Sequence, residues 1–442
     1  MLSILKHTVF ARLFAAQVVA LLGTGLLTVA LALLAYEIAG DRAGTVLGTA
    51  LTLKMVAYVV LSPVLAAALA HLPRKAVLVG ADLIRAGVAL ALPFIDSIWQ
   101  IYGLIFVLQA ASASFTPAFQ ATIPDVLTDE ADYTNALSLS RLAYDLENLL
   151  SPTIAGILLL VISYSMLFIG TVAGFLISAL LILSVSLPAR ADVVQRPFRQ
   201  RLTRGTFIYL ATPRLRGLLA LNMAVAAVIA FVLVDTVVLV RGRFGGGERD
   251  VAMVMAAFGA GSMAAALALP RVLQRLADRV VMLTGASGLV LLGFGYSAVL
   301  YAGGQSWGLL LAVWAAMGLC NSAVMTPSGR LLRRSAHEED RPAIFTAQFA
   351  LSHACWLMAY PAAGWLGPWL GLEATLMVLA MIAAGSVVLA MWVWPRRIAD
   401  AIEHTHPDLP ADHPHIKAHG GARQHSHPVI IDDEHLHWPS QG

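Results

Sequence analysis

Nine of the thirteen histidines lie in the last 48 residues. Eight of these form four His-x-His pairs (His404/His406, His413/His415, His425/His427 and His435/His437), and His419 stands alone between them. In an extended chain, residues i and i+2 point the same way, so each pair can turn two imidazoles toward one ion. Neutral imidazole suits Ni²⁺, Co²⁺, Zn²⁺ and Cu²⁺, and Asp408, Asp412, Asp432, Asp433 and Glu434 add oxygen donors nearby. Interleaved Pro, Asp and Gly distinguish the segment from a contiguous expression tag. The tail has no cysteine, so neither a thiolate zinc site nor a Cu(I) site is indicated. Its imidazoles must be neutral to bind, so capture weakens as pH falls toward about 6. The tail is rich in Pro and His without apolar periodicity, and is expected to be disordered without metal.

A second set of chemically capable residues is scattered through apolar sequence. Lys54, Asp145, Glu147, Asn148, Asp235, His353 and Cys355 all fall within hydrophobic runs. An ionisable group there is costly and points to function. Arg141, Asp145 and Asn148 share one helical face at i, i+4 and i+7, and Glu147 points elsewhere. A carboxylate at this depth can hold a divalent cation or a proton, and competition between the two is the simplest coupling for antiport. The plainer reading is that Asp145 only neutralises Arg141. Lys54 would repel a cation, and is expected to pair with a carboxylate such as Asp145 or Glu147.

The elements that must position these groups are membrane helices. The chain is 59% apolar and only 12% charged, which excludes an ordinary soluble domain. Twelve apolar stretches are long enough to cross a hydrocarbon core of ~30 Å: 10–36, 43–70, 76–95, 98–121, 135–162, 165–187, 216–240, 251–270, 279–301, 307–329, 343–366 and 371–394. The first is too long for a signal-peptide core, and no small-residue cleavage site follows it, so it is read as a helix. With both termini cytoplasmic, inside segments carry 23 of the 29 Lys and Arg residues, satisfying the positive-inside rule. The net charge of +3 therefore reflects topology and gives no reason to expect a nucleic-acid partner. Cys320 and Cys355 both lie in spans, so no disulfide framework is indicated.

The basic stretch 189–215 separates an N-terminal six-helix half (1–188) from a C-terminal one (216–394), with the tail from 395 to 442. The halves echo each other: Trp99 matches Trp307 at an offset of 208, Thr116-Pro117 matches Thr326-Pro327 at 210, and Pro152…Gly156 matches Pro361…Gly364 at 209 for the proline. Parallel repeats related by an axis along the membrane normal describe the major facilitator architecture. The proline offset sets His353 and Cys355 level with Tyr144 and Leu146, flanking Asp145. Two helices from opposite halves would then bring carboxylates, an imidazole and a thiol to one depth.

Tyr36-Glu37-Ile38-Ala39-Gly40, Phe115-Thr116-Pro117, Ile123-Pro124-Asp125 and Ser151-Pro152 resemble the macrolide-efflux-like branch of that superfamily. Residues 347–356 (Ala-Gln-Phe-Ala-Leu-Ser-His-Ala-Cys-Trp), the run Tyr144-Asp145-Leu146-Glu147 and the histidine tail resemble nickel-resistance (NreB-type) efflux permeases. The resemblance implies a monomeric, multi-pass transporter of a bacterial inner membrane. It would export Ni²⁺, with Co²⁺ as a further substrate, in exchange for protons, and would need no cofactor. One motif departs from the superfamily pattern: between spans 2 and 3 only Arg74-Lys75 remain of the usual Gly/Asp/Arg signature, while Asp278-Arg279 persist between spans 8 and 9. Asp82 and Arg85 are candidates to replace the missing latch. Neither a phosphate-binding Gly-rich loop nor a His-Glu-x-x-His motif is present, so an ATP-driven pump and a membrane protease are disfavoured. Efflux of an organic drug is the competing expectation.

Overall fold

The computed structural model describes residues 2–39, 43–188, 196–396, 402–405, 410, 413–418, 422 and 424–439. Among the described residues, ten helices are long and apolar enough to cross a membrane. The last of these, Arg341–Val393, is two spans joined at Gly371, where φ is 83°. Glu130–Leu158 is a further spanning-length helix, made polar by Arg141, Asp145 and Glu147. Twelve spans result.

Spans 1 to 6 are Thr8–Ala39, a broken run from Ala43 to Ala68, Arg74–Ala91, Ile98–Val126, Glu130–Leu158 and Tyr164–Leu183. Spans 7 to 10 are Pro213–Val234 continued by Thr236–Phe244, Glu248–Val272, Asp278–Tyr301, and Trp307–Met325 continued by Ser328–Arg333. Spans 11 and 12 are 341–370 and 372–393. Capping sets several of these ends: Asp129 accepts from the Asp132 amide at the start of span 5, and Ser306 from Leu309 at the start of span 10. Several boundaries differ from the hydropathy reading, chiefly where polar residues extend a helix beyond its apolar stretch. Span 5 begins at Glu130 rather than 135, and span 4 continues through Pro124 to Val126.

Spans 1, 3, 4, 5 and 6 pack among themselves, and so do spans 7 to 12. The halves meet where span 5 lies against span 8 and where span 11 lies against spans 2 and 4. The C-terminal half has a continuous core around Trp314, Tyr296 and Phe231, in which the Trp314 indole N–H donates to Thr236 Oγ1 at 2.9 Å. Spans 8 and 10 approach to backbone contact: a Cβ on Gly318 would overlap the Phe258 carbonyl, and one on Gly261 would overlap that of Ala315. Such small-residue contacts replace the hydrophobic effect as the packing force within a bilayer.

The sequence between the halves is not simply a linker. Phe198–Ala211 forms a helix whose Gly205 lies against the Ala343 backbone at the start of span 11. Within the tail, Ile402–Thr405 pairs antiparallel with Gln424–His427, and Pro414–Ala418 forms a short helix.

The close approach of spans 8 and 10 yields a stability test. Gly318→Ala should lose roughly 1–3 kcal/mol, the cost of overpacking a filled interface, and lower the unfolding temperature in detergent. Gly295→Ala, where a Cβ meets nothing within 4 Å, should leave the melt unchanged.

Candidate functional site

Two assemblies of polar side chains stand out, one at mid-membrane between the halves and one on the arginine-rich face. Counted at 1.5 Å per residue, Asp145 lies ~22 Å along span 5 from Glu130, and His353 ~18 Å along span 11 from Arg341. Both are therefore near the middle of the bundle.

At that level Tyr58 is the hub. It sits in a π-helical turn of span 2, Ala57–Leu61, a distortion frequent at functional sites. Its hydroxyl donates to Gln109 Oε1 of span 4 at 3.0 Å. The His353 ring meets it edge-on at 4.8 Å between centroids, and Lys54 Nζ lies 5.6 Å from its centroid. His353 Nδ1 donates to the Phe349 carbonyl at 2.7 Å, so a neutral imidazole carries its lone pair on Nε2. Glu147 is half-buried, with Oε1 3.5 Å from where a Cβ on Gly25 of span 1 would stand. Lys54 interacts electrostatically with both Glu147 and His353. Among the described residues, no ion pair within 4 Å joins Lys54 to Asp145 or Glu147; the expected pair is replaced by cation–π contact with Tyr58.

Asp145 is paired with Arg141. Arg141 bridges to it at 3.1 Å and also donates to Ser262 Oγ of span 8 at 3.1 and 3.2 Å, crossing between the halves. Arg141, counted with the inside charges by sequence, is thus an intramembrane residue. The Asn148 side chain lies outside the described residues. Cys355 departs from the expected cluster: it is buried in the C-terminal core, its thiol directed at the Leu351 carbonyl at 3.4 Å. A helix turns about 100° per residue, so positions 353 and 355 cannot both face the other half. Asp235 is buried at the break in span 7 beside Gly367 of span 11, well separated in the fold from the Tyr58 hub.

Asp82 and Arg85 are also placed differently from the latch expectation. They pair with each other deep in the N-terminal half, where Ser178 donates to Asp82 at 2.7 Å and Phe115 and Phe175 sandwich the guanidinium. Lys75 donates to the Val185 carbonyl at 2.8 Å, and Arg279 to those of Trp394 and Met391, so each ties elements within its own half. The halves are instead pinned through residues 330–341, from the end of span 10 to the start of span 11. Arg341 bonds Asp125 at 2.6 Å, and Arg74 bonds the same carboxylate. Arg330 meets Glu130 at 2.8 Å and Asp278 at 2.9 Å, and Arg334 joins the same two acids. On the opposite face, the Arg243–Glu373 and Tyr164–Glu37 contacts each stay within one half.

The second assembly is built by the tail. His415 Nε2 lies 3.0 Å from His425 Nε2 and 3.3 Å from His427 Nε2, and the His435 ring is 5.0 Å from that of His415. Donors of a tetrahedral site with metal–nitrogen bonds of ~2.0–2.1 Å stand about 3.3 Å apart. The opposite ring nitrogens are held from behind: His425 by the Ala422 carbonyl, His427 by that of Pro428, His415 by Glu434 and His435 by Asp432, all at 2.8–2.9 Å. Such outer partners fix the tautomer that presents Nε2 to a cation. Among the described residues, only His425/His427 act as the expected i, i+2 pair. His413 faces Glu434 at 3.8 Å, and His437 is exposed. His406, His419 and the His404 side chain lie outside the described residues.

The acidic turn behind this cluster reaches the body of the protein. Asp432 faces His337 at 3.3 Å, and Asp433 bonds Arg196 and Arg204, of which Arg204 also holds Asp340. Burial would raise the Asp432 carboxyl, but hydrogen bonds from His337 and His435 outweigh it and hold the group below its usual range. The Arg196 hydrogen bond does the same for Asp433, and the Asp432 hydrogen bond raises His337. Tyr58, Gln109, Asp125, Glu130 and Asp432 were not singled out for these roles from sequence. Only the i, i+4 spacing of Lys54/Tyr58 and of Phe349/His353 hinted at a shared face.

The sequence matches the Major Facilitator Superfamily over residues 13–302 and 220–412. It is 26% identical over 191 residues to macrolide efflux protein A of Streptococcus pyogenes, a match covering 42% of this chain and 46% of that relative. It is 23% identical over 340 residues to the uncharacterized transporter YfiS of Bacillus subtilis, covering 75% and 79%. In fold it resembles the human organic anion transporter MFSD10 (TM-score 0.68, 15% identity, 87% of this chain and 99% of that one). It equally resembles a bacterial homologue of the iron transporter ferroportin in an outward-facing state (0.67, 14%, 87% and 98%).

Two contrasts test these assignments. Glu434→Ala and His427→Ala should each weaken Ni²⁺ binding by the full-length protein by ~10-fold or more in titration calorimetry, and His437→Ala should not. Asp145→Asn leaves Arg141 buried without its counter-charge and should cost roughly 3–5 kcal/mol in thermal unfolding, whereas Glu147→Gln should melt near the parent temperature.

Proposed function

This chain belongs to the Major Facilitator Superfamily, and from that premise we propose that it is a proton-coupled exporter of a divalent transition-metal cation, Ni²⁺ or Co²⁺, that confers metal resistance. The observation that carries this reading is the convergence of His415, His427 and His435, whose donor atoms lie within 4.8 Å of one another, with His425 Nε2 3.0 Å from His415 Nε2 and all four rings held from behind by an oxygen acceptor. Four imidazoles without thiolate suit Ni²⁺, Co²⁺ and Zn²⁺. In this reading, with the Lys/Arg-rich side inside, the arginine-rich face, both termini and this cluster lie in the cytoplasm, on the side from which an exporter takes its cargo.

In the translocation path, Glu147 and His353 are the groups suited to exchange a cation for a proton. Both lie at mid-membrane, His353 against Tyr58 of the other half and Glu147 beside Gly25 of span 1, at the depth where substrate sites of this architecture form. Glu147 is not committed to an arginine, as Asp145 is to Arg141. A proton on Glu147 removes the charge a metal needs, and a metal there excludes the proton. Lys54, near both groups, disfavours their joint protonation and speeds the return to the empty state. In this reading Asp145 and Arg141 hold span 5 to span 8 while the halves rock about them.

Export of an organic compound is the second reading, favoured by the macrolide efflux relatives and by the aromatic lining of Tyr58 and Phe349, whose rings lie 4.8 Å apart. The two separate in everted membrane vesicles with an acidic lumen. Metal export predicts gradient-dependent ⁶³Ni²⁺ accumulation that falls to background in Glu147→Gln and persists, with reduced affinity, in a chain ending at Arg397. No Ni²⁺ accumulation, together with gradient-driven uptake of a macrolide, would sink the metal reading.

A further inference from the structure

The histidine cluster and the latch between the halves are joined through one stretch of chain, 330–341. Three independent contacts from the tail fall on this stretch or on the arginines that hold it. Asp433 bonds Arg196 and Arg204 of the helix Phe198–Ala211 and its approach, and Arg204 passes the contact on to Asp340 at 2.7 Å. Asp432 faces His337 within the stretch. Trp438 lies 5.9 Å from the Arg214 guanidinium, which donates to Ser335 Oγ and to the Arg334 carbonyl. Ile431, 1% exposed, joins the C-terminal core beneath them. The same stretch carries Arg330, Arg334 and Arg341, the arginines that reach across to Glu130 and Asp125 of the N-terminal half.

Ligands and strap overlap in sequence. His427 is four residues before Ile431, and His435 accepts its position from Asp432, whose other oxygen faces His337. His415 is held by Glu434, the residue after Asp433. The acidic turn 432–434 therefore contributes two carboxylates to the body, Asp432 and Asp433, and two to the imidazoles, Asp432 and Glu434, with Asp432 serving both. A cation drawing the four imidazoles together fixes this turn in the geometry that meets 330–341.

We infer that the tail is a metal-operated strap: occupation of the His415/His425/His427/His435 cluster docks residues 431–438 on the 330–341 stretch and favours the state in which the arginine-rich face is closed. This rests on the metal reading of the cluster, but assigns the tail a control function distinct from cargo delivery. The bound ion is an effector whose leverage equals its preference for the docked over the undocked tail. By linkage, the closed transporter binds Ni²⁺ at the tail more tightly than the open one does. The strap makes closure on the loading side responsive to cytoplasmic metal.

Hydrogen–deuterium exchange on the full-length protein in nanodiscs tests this, with Ni²⁺ alone as probe. In the parent, Ni²⁺ should slow exchange on the order of fivefold or more in 424–438 and also in 198–211 and 330–341. The double variant Asp433→Asn/Trp438→Ala keeps every imidazole, and Asp433 is 54% exposed, so the fold is not at risk. In this variant Ni²⁺ should protect 424–438 while protection of 330–341 is lost. Protection of 424–438 alone in the parent overturns the strap and leaves metal capture and export standing. No protection in either segment overturns the strap together with metal capture by the tail. Ni²⁺-dependent protection of 330–341 in a chain that moves no Ni²⁺ in vesicles upholds the strap and overturns export.

Discussion

A charge inside a bilayer-spanning bundle is costly unless a partner meets it, because the medium offers little water to share the cost. That constraint sorts the polar residues of this protein. Asp82 and Arg85 answer each other within the N-terminal half, wrapped in Phe115 and Phe175 and completed by Ser178. Asp145 and Arg141 answer each other across from Ser262 and so fasten span 5 to span 8. Each pair satisfies a local demand and fixes helix positions while doing so. Glu147, Lys54 and His353 share a softer arrangement, in which an aromatic ring and distance take the place of a tight ion pair. Groups held loosely in this way can change charge without breaking the scaffold.

The same principle at the arginine-rich face gives a different result, because there the partners belong to different halves. Asp125 and Glu130 each draw arginines from the C-terminal half, and Asp278 shares two of them. Such pairs are strong only while the face is closed and partly desolvated; once separated, water replaces the partner and the loss is modest. They suit a contact that must form and break. The connection of this latch to the tail runs through carboxylates that each serve two partners, which is how a short acidic turn reaches both a histidine cluster and a helix-bundle interface.

The fold was largely legible because hydrophobic length and charge placement are local properties. Twelve apolar stretches, a basic stretch between two halves and a repeat offset near 209 require no knowledge of packing. Even so, equal motifs gave unequal outcomes. Pro117 lies inside an unbroken span 4, whereas Pro327 separates Trp307–Met325 from Ser328–Arg333. The candidate site was legible in its members more than in its arrangement. Arg141 and Asp145 were readable as an i, i+4 pair, because helical spacing alone brings them together. The Tyr58–Gln109 bond and the His353 contact span 51 and 295 positions of sequence, and only the crossing of spans 2, 4 and 11 creates them.

The tail divides along the same line. Its residue types declared a capacity for metal, since imidazole density and the absence of thiol follow from composition. Which histidines converge did not follow: one i, i+2 pair stays together, two others contribute a single ring each, and the carboxylates behind them come from a turn 17 to 19 residues after His415. The sequence by itself determined a twelve-span membrane protein with intramembrane charges and a histidine tail, because periodicity, length and charge act over a few neighbours. Tertiary structure alone decided which charges neutralise each other, which remain loosely held, and where the tail rests. Those outcomes depend on distances between helices that no local pattern encodes.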